Sequence, residues 1–139
     1  MENKHSTNYY NTFIQVSEDS KAREAMIPPE KPGQMTVANI ELDLILKNPY
    51  TFTSDEVLFK VHSLKKELPD SDYTREWDQY FSKGQACLRC SPLVKSYGWG
   101  IHHDADGKVA LIPMGSPEYD AFASDPHVKQ IFGMRSSKK

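Results

Sequence analysis

The sequence is short of cysteine: Cys87 and Cys90 are the only two in 139 residues. Two thiols cannot build the disulfide framework of a small secreted scaffold. Residues 1–12 are polar, so no secretory signal is read there, and the thiols are expected to stay reduced in a cytoplasmic protein. Long apolar runs are also missing. No stretch approaches the ~18 apolar residues of a membrane span, and no membrane partner is expected. Charge of one sign is not in excess either, with 17 basic and 19 acidic side chains and a net charge of −2. That balance argues against a broad nucleic-acid footprint. A nucleic-acid role would rest on Lys129, Arg135, Lys138 and Lys139 alone. Glycine patterns that cradle phosphates are absent: there is no G-x-G-x-x-G and no Walker loop. Asp104-x-Asp106-Gly107 opens like a calcium loop. Counted from Asp104, that loop would end at Gly115, where a bidentate glutamate is required. Neither a metal nor a cofactor is expected.

What is present suits one compact domain. Hydrophobic residues make up 38% and charged residues 26%. A chain of this length can bury an ordinary core without staples. The expected fold class is α+β, with a mainly antiparallel sheet, a β-hairpin near 97–113 and two to three helices. The domain is expected over 9–134, between a disordered start at 1–8 and a basic tail at 135–139.

Local patterns set the elements. Tyr10, Thr12, Ile14 and Val16 alternate with polar neighbours and read as a strand. Residues 17–35, with Pro28, Pro29, Pro32 and Gly33, form a long connection of the kind that serves as a lid or binding loop. Thr36 suits an N-cap, and Val37, Ile40, Leu44 and Ile45 share a helical face up to Asn48-Pro49. Residues 56–64 are ambiguous. Thr53 and Glu56 have capping-box spacing, yet Val57, Phe59 and Val61 alternate with Lys60 and His62. Their β-branched and aromatic content favours a strand. Residues 71–82 read as a helix capped by Ser71, with Tyr73, Trp77, Tyr80 and Phe81 as its stripe and Gly84 past its end. The turn at residues 104–107 joins the hairpin strands. Ser116 and Pro117 then start a short helix, and 127–134 form a last strand.

Chemistry concentrates in residues 83–104, KGQACLRCSPLVKSYGWGIHHD. Read as an anion site, Arg89 offers a planar fork of donors, Ser91 a hydroxyl and Lys95 a mobile charge. Tyr97 or Trp99 would supply a flat wall, and Gly98 and Gly100 would let a ligand or another backbone approach. His102 would tune such a site near neutral pH. The bland reading makes Arg89 and Lys95 solvated charges, Trp99 a core anchor and the glycines strand bends.

Cys87-Leu88-Arg89-Cys90 has the spacing of a redox pair or half a zinc site. No strand-to-helix setting of the thioredoxin type is evident. His102 and His103, the available zinc partners, are adjacent, so on a strand one of them faces away. The alternative to a metal is two small thiols. Cys87 or Ser91 with His102 or His103 as base would be a nucleophile pair, although no G-x-S-x-G elbow surrounds Ser91.

A longer string of motifs carries a resemblance. It runs through Asn8-Tyr9-Tyr10-Asn11-Thr12-Phe13-Ile14, Thr36-Val37-Ala38-Asn39-Ile40, Asn48-Pro49-Tyr50 and Thr53-Ser54-Asp55-Glu56-Val57-Leu58-Phe59. It continues through Ser82-Lys83-Gly84-Gln85, Cys87-Leu88-Arg89, Ser91-Pro92-Leu93, Lys95, Tyr97-Gly98-Trp99-Gly100-Ile101-His102 and Met134-Arg135-Ser136. Over about residues 8–138 the chain resembles a family of small bacterial one-domain proteins catalogued only as a domain of unknown function. The resemblance implies no assigned activity. Members of that family often carry alanine at the position of Cys90. The resemblance therefore implies no shared metal or redox role for the pair and leaves open a role particular to this chain.

The leading expectation is a cytoplasmic protein that binds a small anionic or aromatic ligand through Arg89, Ser91, Lys95, Tyr97, Trp99 and His102. Two other classes remain. One is an enzyme that uses Cys87 and His102 at the same site. The other is a protein–protein adaptor without small-molecule chemistry, expected to show a flat patch of exposed aromatics rather than a pocket.

Overall fold

The computed structural model describes residues 5–136. Its four strands are β1 (Thr12–Gln15), β2 (Trp99–His103), β3 (Val109–Pro113) and β4 (Lys129–Phe132). They form one mixed sheet in the order β3-β2-β1-β4. Five α-helices are described: α1 (Val37–Lys47), α2 (Ser54–Lys66), α3 (Tyr73–Tyr80), α4 (Pro92–Lys95) and α5 (Pro117–Ala123). Single 3₁₀ turns occupy Asp70–Asp72 and Leu88–Cys90. The α+β class holds, but the sheet is mixed rather than mainly antiparallel, and the helices outnumber the two or three expected.

The hairpin follows its turn chemistry. Asp104 Oδ1 accepts from the Asp106 and Lys108 amides, each at 2.9 Å, and Gly107 takes φ +80. β2 and β3 then pair antiparallel, with Ile101 opposite Leu111, and β1 pairs antiparallel with β2. The parallel element is β4, with Ile131 opposite Ile14. Its direction follows from α5. The chain leaves β3 at one edge and crosses the sheet face as α5. It returns at the other edge beside β1, and a parallel neighbour requires such a crossover.

Residues 54–66 are the clearest correction, since the expected strand at 56–64 is helix α2. Thr53 and Glu56 form a full capping box, with bonds of 3.2 and 2.9 Å. That box satisfies two orphan amides at the start of the helix. Val57, Phe59 and Val61 are buried from the helix, so the tertiary surroundings override their β preference. The helix closes at Glu67, which sits at φ 52. The helix expected over 71–82 is shorter. A 3₁₀ turn precedes Tyr73, no side chain caps α3, and Phe81 ends it, so Gly84 lies beyond its C-terminal cap.

Helix α1 starts at Thr36, whose side chain accepts from the Asn39 amide. Its buried residues are Ala38, Ile40, Glu41, Leu42 and Ile45, so Ile40 and Ile45 of the expected face are buried while Leu44 is half-buried. Val37 is 36% exposed. Ala38, Leu42 and Ile45, with Leu88, Leu93 and Val94, cover Ile14, Trp99, Ile101, Val109 and Leu111 on one side of the sheet. On the other side, Tyr119 of α5 packs on Phe13, Val16, Ala110 and Ile112.

The chain's polar start is tied down where it is described. Thr7 is buried, and Asp55 in the first turn of α2 accepts from the Thr7 amide and hydroxyl, both at 2.7 Å. Ser6 Oγ donates to the same carboxylate, and the Asp55 amide donates to Asn8. Residues 1–4, and 137–139 of the expected tail, lie outside the described residues. Arg135 pairs with Glu18 and the Ser136 amide bonds Asp19. Among the described residues no helix is long and apolar enough to cross a membrane.

Candidate functional site

The 83–104 segment divides among three places. The first is the 3₁₀ turn Leu88–Cys90. Leu88 is fully buried and anchors the turn, while Cys87 is half-buried and Cys90 exposed. Tyr9, just ahead of β1, brings its hydroxyl to 3.3 Å from the Cys87 sulfur. Burial is the main cause that pushes the Tyr9 phenol up to about 12. The contact with Cys87 and the charges of Cys87 and Cys90 add to it, and Arg89 opposes it. Tyr9 therefore stays protonated through the physiological range. Whenever Cys87 is a thiolate, the Tyr9 O–H is the donor.

Arg89 belongs to the same turn. Its Nε donates to the Phe132 carbonyl at 2.6 Å, and its own carbonyl accepts from the Met134 amide at 2.8 Å. These bonds hold the turn against β4. Among the described residues the terminal guanidinium nitrogens have no partner. The turn thus carries an arginine and two thiols, with a phenol in contact with the first thiol.

The second place is interior. The Ser91 hydroxyl donates to Glu41 Oε1 at 2.6 Å, and its oxygen caps α4 by accepting from the Leu93 amide. Both side chains are buried. Burial pushes the Glu41 carboxyl up to about 7, and the Ser91 bond partly opposes the rise. Trp99 belongs to the core as well. Its Nε1 donates to the Met26 carbonyl at 2.9 Å, and the Met26 amide donates to the Tyr97 carbonyl at 2.8 Å. Gly98, at φ +76, lets the backbone at Glu24 and Ala25 pass where a Cβ would collide. Gly100 makes room for the rings of Phe13 and Tyr119. Both glycines therefore serve packing. The lid expected from 17–35 is bonded down, through Ser17 to Val94 and through Pro28 to Asn39, besides Met26. Lys95 ends α4, half-buried and apart from these bonds.

The third place is the opposite sheet face. His102 projects there, while His103 projects into the α1 layer, since neighbours on a strand point to opposite faces. His102 stacks on Phe122 of α5 at 4.0 Å, and its Nδ1 lies 2.8 Å from the Tyr50 hydroxyl. Burial lowers its pKa, against the charges of Asp104 and Asp125. Cys87 and His102 are therefore not brought together, because Cys87 contacts Tyr9 and Tyr9 packs edge-on against His103 at 5.4 Å. The two histidines cannot share a zinc with the thiols either. Among the described residues no three His, Cys, Asp or Glu side chains gather as metal ligands.

Sequence reading missed Tyr9, Glu41 and Tyr50 as site residues, and it named His103 without foreseeing its burial. His103 is fully buried, and among the described residues neither ring nitrogen has a hydrogen-bond partner. Burial lowers the ring's pKa to about 4, with the Ile101 and Thr12 backbone acting weakly the other way. Glu41 carried a signal, a carboxylate set among Ile40, Leu42 and Ile45. Tyr50, at φ 55, sits in a backbone region unusual for a bulky residue.

Fold and site together define a small α+β domain: a four-stranded mixed sheet with a thiol–phenol–guanidinium cluster at one edge. The chain belongs to the family described as a family of unknown function (DUF6157), which matches residues 4–139. No curated protein and no solved structure matches the chain.

Proposed function

We propose that this chain is a cytoplasmic protein that binds a small anion at the Tyr9, Cys87 and Arg89 cluster. The observation that carries the reading is the state of Arg89. One guanidinium nitrogen is fixed to Phe132, and the remaining nitrogens lack partners among the described residues. A guanidinium fixed in this way presents its fork without further loss of side-chain freedom and suits a carboxylate or phosphate. The Tyr9 hydroxyl adds a donor that does not ionise at physiological pH. Of the six ligand residues expected from sequence, Arg89 stays central, while Ser91 and Trp99 have their polar groups engaged inside the fold.

Titration of the isotope-labelled chain with inorganic phosphate, followed by NMR, tests the proposal. Saturable shifts should centre on Tyr9 and residues 87–90. Arg89→Gln should weaken binding at least ~10-fold, as loss of a charge-assisted bond implies. Arg89→Lys, which keeps the charge but not the fork, should fall between. Unsaturable shifts, or equal affinity in all three proteins, would overturn it.

A further inference from the structure

We infer that Cys87 and Cys90 form a dithiol that hydroperoxides oxidise to a disulfide within the chain, with Tyr9 directing attack to Cys87. The inference shares residues with the anion site but does not depend on anion binding. Its first support is reach. The Cys90 amide donates to the Cys87 carbonyl at 2.9 Å, so the two cysteines close a single turn. Cα atoms across such a turn lie within ~7 Å, compatible with the ~4.4–6.8 Å span of disulfides.

The second support is the difference between the two thiols. Cys87 is half-buried and in contact with a phenol, whereas Cys90 is exposed. The Tyr9 hydroxyl, 3.3 Å from the Cys87 sulfur, can donate to it as it attacks. Cys90 stands one turn away, where a resolving thiol is needed.

The chemistry balances. The Cys87 thiolate attacks one oxygen of a hydroperoxide. An S–O bond forms and the O–O bond breaks. Sulfur gives up two electrons, and the departing oxygen leaves as an alcohol, or as water, carrying the proton the thiol released. Cys90 sulfur then attacks Cys87 sulfur. The S–S bond forms and the S–O bond breaks, and hydroxide leaves with the Cys90 proton as water. A dithiol reductant returns both cysteines to thiols by exchange.

The test uses the full chain, reduced, freed of reductant and held in phosphate-free buffer, with hydrogen peroxide as the oxidant. Intact mass should fall by two hydrogens. After tryptic cleavage behind Arg89, the fragments bearing Cys87 and Cys90 should stay joined until reduced. Cys90→Ala should stop at a sulfenic acid on Cys87, trapped by a cyclic 1,3-diketone. Tyr9→Phe should slow oxidation ~10-fold, the size expected for one hydrogen bond to a charged group. Oxygen gained only on methionine, with both thiols still open to alkylation, would overturn the inference. So would disulfides found only between chains. Equal rates for Tyr9→Phe and the native chain would remove Tyr9 from it. Because phosphate is absent, a failure here is separate from a failure of anion binding.

Discussion

Ser91 donates to Glu41 across fifty residues of sequence, and this single 2.6 Å bond joins α4 to α1 inside the core. Neither side chain is more than a few per cent exposed. An ionised carboxylate with one neutral donor is costly to bury, so the proton stays on Glu41 up to about pH 7.

Stability follows from that proton. The folded chain holds it between about 4.5 and 7, where an exposed glutamate would not. The contribution is complete below about 4.5 and disappears as pH rises through about 7. Moving the carboxyl from 4.5 to about 7 corresponds to roughly 3 kcal/mol. Glu41→Gln removes this titration. Urea melts from pH 5 to 8 should show a falling midpoint for the native chain and a flatter one for the variant. Parallel profiles would contradict the assignment.

His103 has the opposite sign. Burial lowers its pKa from 6.5 to about 4, so its contribution is present above 6.5 and is lost as pH falls through about 4. Between about 4.5 and 6.5 it offsets Glu41. His103→Phe should therefore steepen the decline of stability with rising pH in that window. The same series of melts reads it, and an unchanged slope would mean that His103 does not titrate as a buried neutral ring.

Glycine replacements should grade by what a Cβ meets. At Gly100 it would come 2.6 Å from the Phe13 ring and 2.8 Å from Tyr119. Gly100→Ala should cost ~1–3 kcal/mol through overpacking. Gly98→Ala should cost more, since both a positive φ and the Glu24 backbone oppose it. Gly84→Ala, with open space and an ordinary φ, should change stability by less than ~0.5 kcal/mol. Thermal melts of the three variants give the order directly.

The start of α2 offers a further test. Thr53→Ala removes one half of the capping box and should cost ~1 kcal/mol. Thr7→Val removes the hydroxyl that bonds both Ser54 and Asp55 in a buried setting. It should cost ~1–3 kcal/mol, as buried groups left short of a partner do. If Thr7→Val melts like the native chain, the start of the chain does not hold the helix in solution.

Much of the fold could be read locally, because short-range chemistry determines it. The Asp104 turn, the Thr36 and Ser116 caps and the alternation in β1 and β2 involve neighbours within a few residues. The error at 56–64 came from weighing β-branched content above a capping box that was visible. The direction of β4 could not be read, since it depends on how α5 crosses the sheet. The site was less legible. Arg89 and Cys87 stood out, but Tyr9 reaches Cys87 across 78 residues and Glu41 reaches Ser91 across 50. Ser91 and Trp99 looked like ligand groups because their buried partners, Glu41 and Met26, lie far along the chain. The opposed directions of His102 and His103 did follow from strand periodicity alone.

The place of β4 also bears on synthesis. β1 is made early, but its parallel neighbour emerges only with residues 129–132, and Arg89 finds its Phe132 acceptor then. Until that moment a growing chain on the ribosome carries β1 as an open edge, the kind of surface that pairs with other chains. Removing residues 129–132 would leave that edge of β1 unpaired, so such a variant should aggregate more readily than the native chain.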